Sequence, residues 1–283
     1  MAQIREIKKR IKSIQNTKKV THAMELVAAA KMRKAQTAAT SSRPYSQTLH
    51  QVLRTVKTKS HKKSHPLLLE NKTSKQLIIV VSADRGLAGG LNINIFREIL
   101  RMEIKDAEFI TVGKKASEFV VKTGNSLTAS YKSDEKGTIE LARELSKMSI
   151  DAYVKKEVSK VTIIYQHYQS TIKQVPTWSQ LLPIDITHSE QEEKNGLTTD
   201  LLFEPNADQI METILPHHVL TQIYQVLLEA KASEHSARMV AMKNATEAAG
   251  DLVEDLTLTY NQARQEAITK ELLDIITAQK AFE

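Results

Sequence analysis

Residues 3 to 35 read QIREIKKRIKSIQNTKKVTHAMELVAAAKMRKA, and the spacing of their apolar side chains decides the fold. Ile4, Ile7, Ile11 and Ile14 recur at intervals of three, four and three, which places them on one helical face; after a polar interval Val20, Met24 and Val27 resume on a shifted face. Glycine is absent before Gly86, and the only proline before Pro66 is Pro44. One helix is therefore predicted from about residue 3 to the high 50s, with Pro44 as the point where a lost amide hydrogen bond would bend it. At about 1.5 Å per residue it would be roughly 80 Å long, more than a globular domain covers, so it is predicted to project. Its stretch HAMELVAAAKMRKA, residues 22 to 35, carries small or apolar side chains around most of its circumference.

The other end of the chain repeats the pattern. From Pro216, placed in a first turn, the sequence continues without further proline, and Gly250 is its one weak point. Leu252, Leu256, Tyr260, Ala263 and Ala267 recur at helical spacing, with Ile268, Leu272 and Ile275 on a neighbouring stripe. Periodicity sustained over such lengths predicts that the two terminal helices wind round each other, antiparallel, as a coiled coil. The drift of the stripes argues against a strict heptad. Gly250, where helix formers are usual, should cost about 1 kcal/mol relative to alanine if exposed.

Between these helices the periodicity changes. QLIIVVSAD (76–84), AEFITVG (107–113) and KVTIIYQHY (160–168) read as strands, DLLFEP (200–205) as a fourth, and the segments 92–103, 114–121 and 138–156 as helices. Strands alternating with helices predict a small, mostly parallel, Rossmann-like α/β domain inserted between the halves of the coiled coil. The predicted organisation is a shaft helix over 1–57, a linker over 58–74, the α/β domain over 75–205 and a second shaft helix over 206–283.

The formal charge of +7 is unevenly placed. Residues 1 to 75 hold 18 Lys/Arg against 3 Asp/Glu, a net of +15, so the other 208 residues sum to −8. Absence of cysteine removes disulfides, thiolate nucleophiles and Cys-ligated metals. No apolar run approaches the roughly 20 residues that span a bilayer, and the first residues read as a helix start rather than a signal peptide.

Chemistry is mostly missing. SADRGLAGGLN (82–92) follows a strand and its glycines could bring amides near an anion, but it contains neither GK[ST] nor G-x-G-x-x-G. Gly86, Gly89 and Gly90 read instead as a tight turn, and Asp84 with Arg85 as a structural or partner-facing pair. SHKKSH reads as a solvated linker, since His61 and His65 lack nearby carboxylates. His167 has neither a nucleophile nor an orienting carboxylate beside it in sequence. No cofactor, metal or catalytic set is predicted, so the chain is not expected to be an enzyme by itself. The basic first helix admits a second reading, a nucleic-acid or membrane-surface adaptor binding phosphates through its lysines. The missing aromatic and base-reading elements argue against nucleic acid.

The chain resembles the gamma subunit family of F-type ATP synthases over essentially its whole length. IREIKKRIKSIQNTKKVTHAMELVAAAKMRKAQ, VVSADRGLAGGLN, ASEHSARMVAMKNATEAA and LTLTYNQARQEAITKELLDIITA resemble the family's first helix, central loop and terminal helix, in the family's order. The resemblance implies the central rotor stalk: terminal helices turning inside a hexamer of three alpha and three beta subunits, with the epsilon subunit beside the α/β part and the c-ring beneath. It implies a peripheral place on the cytoplasmic face of a bacterial membrane, reached indirectly through the Fo sector. Met24 matches the upper-shaft coupling methionine; Arg238 lies on the opposing helix; Arg264, Gln265 and Thr269 match positions near the beta-subunit catch; Lys8, Lys9 and Arg10 are assigned to the hexamer's lower collar. Asp84 and Arg85 complete the implied contact set. Ala88 stands where the family often has cysteine, Glu266 interrupts the usual RQA-x-IT, and the cysteine-bearing insertion of the chloroplast form is absent, which favours a bacterial-type subunit.

Overall fold

The computed structural model describes residues 2–59, 65–102, 104, 106–133, 137–185, 204 and 206–281. Its contacts divide the chain into two units, one of residues 1–29 with 238–283 and the other of residues 30–237. Two long helices, α1 (Ala2–Lys59) and α5 (Ala207–Ala281), supply stretches to both.

In the first unit α1 and α5 pack side by side. Thr246 donates from Oγ1 to Thr21 Oγ1 at 2.8 Å, and Lys18 lies against Gly250. As the position on α1 falls the position on α5 rises, so the helices are antiparallel. On α1 the shielded positions are Ile4, Ile7, Ile11, Ile14, Thr21, Met24, Glu25, Ala28 and Ala29; on α5 they run from Met242 and Ala249 through Val253, Leu256, Tyr260, Ala263 and Ala267. From Ala249 to Ala267 α5 keeps a three-four rhythm, whereas the α1 set skips from Ile14 to Thr21 and then widens. Val20 and Val27 are 58% and 57% exposed and Leu252 is 51% exposed. Thr21, Glu25 and Ala28 take shielded positions between them, so apolar spacing located most of the seam and missed it at these three residues.

Gly250 is packed, not bare: a Cβ there would meet Lys18 Nζ at 2.9 Å. That neighbour is the free end of a flexible side chain. Gly250→Ala is therefore expected to stabilise the chain by about 0.5–1 kcal/mol through helix propensity and reduced unfolded-state freedom. Urea denaturation checks this, and a destabilised variant would mean that Lys18 is held where it stands.

In the second unit a five-stranded sheet is formed by β1 (Gln76–Val81), β2 (Ala107–Val112), β3 (Ser126–Tyr131), β4 (Lys160–Tyr168) and β5 (Gln174–Leu182), in the order β3-β2-β1-β4-β5. The first four are mutually parallel and β5 runs antiparallel to β4. Helices α2 (Leu91–Arg101), α3 (Lys114–Lys122) and α4 (Thr138–Val154) make the crossovers. Because both faces are covered, β1 is apolar throughout yet splits by alternation: Leu77, Ile79 and Val81 enter one core, Ile78 and Val80 the other. The first core also takes Leu53 and Val56 of α1, Leu141 and Leu145 of α4, and Leu215, Val219 and Ile223 of α5. The second lies under α2 and α3, where Phe96 and Phe119 stack at 4.3 Å.

α1 runs through Pro44 as the single helix expected from about residue 3 to the high 50s. One limit differs from the start expected at Pro216. α5 begins at Ala207, with Pro216 inside it. Asn206 supplies the start: its Oδ1 accepts from Gln209 N at 2.8 Å and its carbonyl from Ile210 N at 3.2 Å, and Met211 and Leu215 bury the added turns. β3 and β5 were not predicted. The expected strand 200–205 and most of SHKKSH lie outside the described residues; His65 Nδ1 accepts from Leu67 N at 3.2 Å, capping the short 3-10 turn Pro66–Leu68.

Candidate functional site

The loop after β1 is where a doubly wound sheet would take a phosphate, and its residues are engaged with the protein itself. Asp84 Oδ1 accepts from Lys114 N at 3.0 Å, the Ala83 carbonyl from Lys115 N at 3.2 Å, and Ser82 Oγ from Ala116 N at 2.8 Å. The first three amides of α3 are thus satisfied by three consecutive residues of SAD. The second carboxylate oxygen of Asp84 accepts from Ser133 N at 2.9 Å, and Asn92 Oδ1 accepts from Ala83 N at 3.1 Å. Asp84 is therefore a structural anchor between β1, α3 and the end of β3. Arg85, Gly86 and Leu87 stand exposed beyond it, and Leu87 is 62% exposed.

His167 on β4 does have a carboxylate. Glu229 of α5 brings Oε2 to 2.6 Å from His167 Nδ1, while Oε1 accepts from Arg43 at 3.1 Å and from Gln225 Nε2 at 3.0 Å. Gln225 Nε2 also reaches the Ala39 carbonyl at 3.2 Å, and its Oε1 accepts from Ser42. Burial, then the Glu229 charge, pushes the neighbouring Tyr165 hydroxyl well above its ordinary pKa. The partners lie 62 and 186 residues from Glu229 in sequence, so no local pattern points to them. One turn farther along, Ser233 and Ser236 of α5 donate to the carbonyls of Gln166 and Thr171 at 2.8 and 2.6 Å. Small side chains here let the helix backbone come close to the sheet. The cluster holds α1, α5 and β4 together, and its serine hydroxyls bond to Gln225 and to backbone carbonyls rather than to His167.

The remaining predicted contact residues lie on the helices of the first unit. Lys8, Lys9 and Arg10 are exposed, with Arg10 paired to Glu6 at 2.9 Å. Met24 and Arg238 are half-buried. Arg264, Gln265 and Thr269 are exposed, and Gln265 and Thr269 line a shallow groove on α5 with Gln262, Glu266, Lys270 and Leu273. From Ile268 to Gln279 every residue is exposed, including Leu272, Leu273, Ile275 and Ile276 at 52–63%. Extending the antiparallel register from Thr21 opposite Thr246 brings Ala2 level with about residue 265, so among the described residues no helix lies beside the last turns of α5. An apolar stretch of that length is a surface made to be covered.

Among the described residues, the helix pair and the sheet present exposed apolar and charged surfaces of the kind that proteins use to contact partners. A family model described as ATP synthase matches residues 3–282. The ATP synthase gamma chain of Opitutus terrae is 37% identical over 292 residues, covering 99% of each chain, and that of Pelotomaculum thermopropionicum is 40% identical over 287 residues, covering 100% of each. The chain belongs to the ATP synthase gamma chain family. As such it is a non-catalytic rotor-coupling subunit. The same fold occurs in a chain of the Euglena gracilis mitochondrial ATP synthase, OSCP/F1/c-ring, with a TM-score of 0.71 at 20% identity, covering 99% of this chain and 95% of that one. A chain of the Tetrahymena thermophila mitochondrial ATP synthase central stalk/c-ring gives a TM-score of 0.59 at 24% identity, covering 80% and 99%. Among the described residues no helix is long and apolar enough to cross a membrane.

Proposed function

We propose that the antiparallel helices form an asymmetric shaft turning within a hexamer of three alpha and three beta subunits, with the epsilon subunit and the c-ring contacting the α/β part. The observation that carries this is the exposed apolar end of α5 beyond the reach of α1, which a close-fitting sleeve would cover. Three equivalent catalytic subunits round an asymmetric shaft cannot make identical contacts, so the shaft angle biases each toward a different nucleotide affinity. Each ~1.4 kcal/mol of differential contact shifts a conformational ratio about tenfold, so a few side chains suffice. Arg264, Gln265 and Thr269 are exposed at the edge of that end and act as the catch; Met24 and Arg238 keep the helices in register; Lys8, Lys9 and Arg10 meet the collar. Ion flow through the Fo sector drives the c-ring and with it the shaft, and hydrolysis reverses it. Membrane association is through the Fo sector alone.

The paired substitution Arg264→Ala/Gln265→Ala is expected to lower ATP-driven ion pumping and ATP synthesis in intact complexes several-fold, while the melting temperature of the chain stays within about 2 °C, since both side chains are exposed. Unchanged pumping and synthesis would remove the catch assignment. Subunit counting in the purified complex tests the wider reading, which requires one copy of this chain per three alpha and three beta subunits.

A further inference from the structure

His218 of α5 is 2% exposed, and neither of its ring nitrogens has a hydrogen-bond partner among the described residues. A buried imidazole left so is costly, by about 1–3 kcal/mol for each unmet group, and calls for a ligand. One turn along the same helix face, Gln222 presents a buried Oε1 that is likewise unpartnered. Opposite stands His50 of α1, its ring centroid 5.4 Å from that of His218 and its plane tilted by 32°. His50, His218 and Gln222 line one groove, together with Ser46, Gln47 and Gln51.

Two imidazoles bound to one ion at about 2.1 Å and meeting at a tetrahedral angle have ring centroids about 5.2 Å apart, close to the separation here. The lining contains no Lys or Arg, which disfavours an anion, and no carboxylate, which disfavours magnesium or calcium. We propose that this groove binds one divalent transition metal ion of the imidazole-preferring class, with Zn2+ as first candidate, held by His50, His218 and Gln222 Oε1 with water completing the shell. No three His, Asp or Glu side chains form a metal cluster among the described residues. The site is therefore weaker than a four-ligand structural zinc site, and it acts as a staple between α1 and α5 where they flank the sheet.

The test is titration of the full chain, stripped with chelator, with Zn2+ by calorimetry and with Co2+ by visible absorption. One equivalent is expected, with affinity falling at least tenfold in each of His50→Ala and His218→Asn, and unchanged in His217→Ala, whose ring bonds the Tyr45 hydroxyl instead. Zn2+ should raise the melting temperature of the parent chain and not that of His50→Ala. His50 is only half-buried, so this variant keeps the test open should His218→Asn fail to fold. Absence of binding at millimolar metal, or a single equivalent that survives His50→Ala, overturns the proposal.

Discussion

Gly113→Ala is expected to destabilise the sheet-containing unit by about 4 kcal/mol, a large part of the stability of a typical domain. Gly113 ends β2 with φ at +95°, and an added Cβ would stand 2.1 Å from the Ser82 carbonyl oxygen and 2.8 Å from Ser82 Oγ. Both obstacles are fixed. The Ser82 amide is bonded to the Val112 carbonyl at 2.8 Å, Gly113 N to the Tyr131 carbonyl at 2.7 Å, and Ser82 Oγ caps α3. Relief would pull β1 from β2 or uncap the helix, so backbone strain and overpacking act together, each at about 1–3 kcal/mol. Urea denaturation of the full chain measures the loss. A Gly113→Ala chain that melts within about 2 °C of the parent would show that β1 and β2 separate more easily than their paired register implies. The contrast with Gly250→Ala is physical: one methyl group meets a carbonyl held in a sheet, the other the loose end of a lysine.

Glu229→Ala should cost about 2–3 kcal/mol, the second largest effect. The carboxylate is only 8% exposed and is the shared acceptor for Arg43, Gln225 and His167, so its removal leaves the half-buried Gln225 and His167 without their common acceptor. Arg43→Ala leaves Glu229 its bonds from Gln225 and His167, and Arg43 is itself 47% exposed, so this variant is expected to cost less, about 1 kcal/mol. Glu229→Gln, which keeps the shape and one acceptor, should fall between. Equilibrium unfolding of the three variants gives the ranking, and a Glu229→Ala loss below about 0.5 kcal/mol would mean that solvent already satisfies these groups.

The long helices were legible because their signal is repetitive: dozens of residues without glycine and apolar side chains at helical intervals outweigh any single exception. Their seam was legible in part: Ile4, Ile7, Ile11, Ile14, Met24, Leu256, Tyr260, Ala263 and Ala267 are shielded as spaced, while the polar Thr21 and Glu25 also turn inward and Val20, Val27 and Leu252 face outward. Pro216 was read as a start because proline favours a first turn; the helix instead starts at Asn206, whose side-chain cap is a weaker sequence mark. β1, β2 and β4 each carry a run of three or four consecutive β-branched residues and declared themselves. β3, SLTASY, and β5, QVPTWSQLL, are edge strands with little apolar weight, and Pro176 in β5 is tolerable only because an edge strand has amides to spare. The Arg43–Glu229–His167 cluster and the pairing of His50 with His218 join residues more than sixty positions apart. Only the folded chain brings them together.

Where a nucleotide-binding relative of this sheet would close its crevice round a phosphate, Ser82, Ala83 and Asp84 already hold the amides of α3. A fold that needs a metabolite to complete it gains and loses stability with the logarithm of that metabolite's concentration. By carrying its own carboxylate in that place, the chain closes this turn with partners it is covalently tied to, and the stability of the turn follows no ligand's concentration.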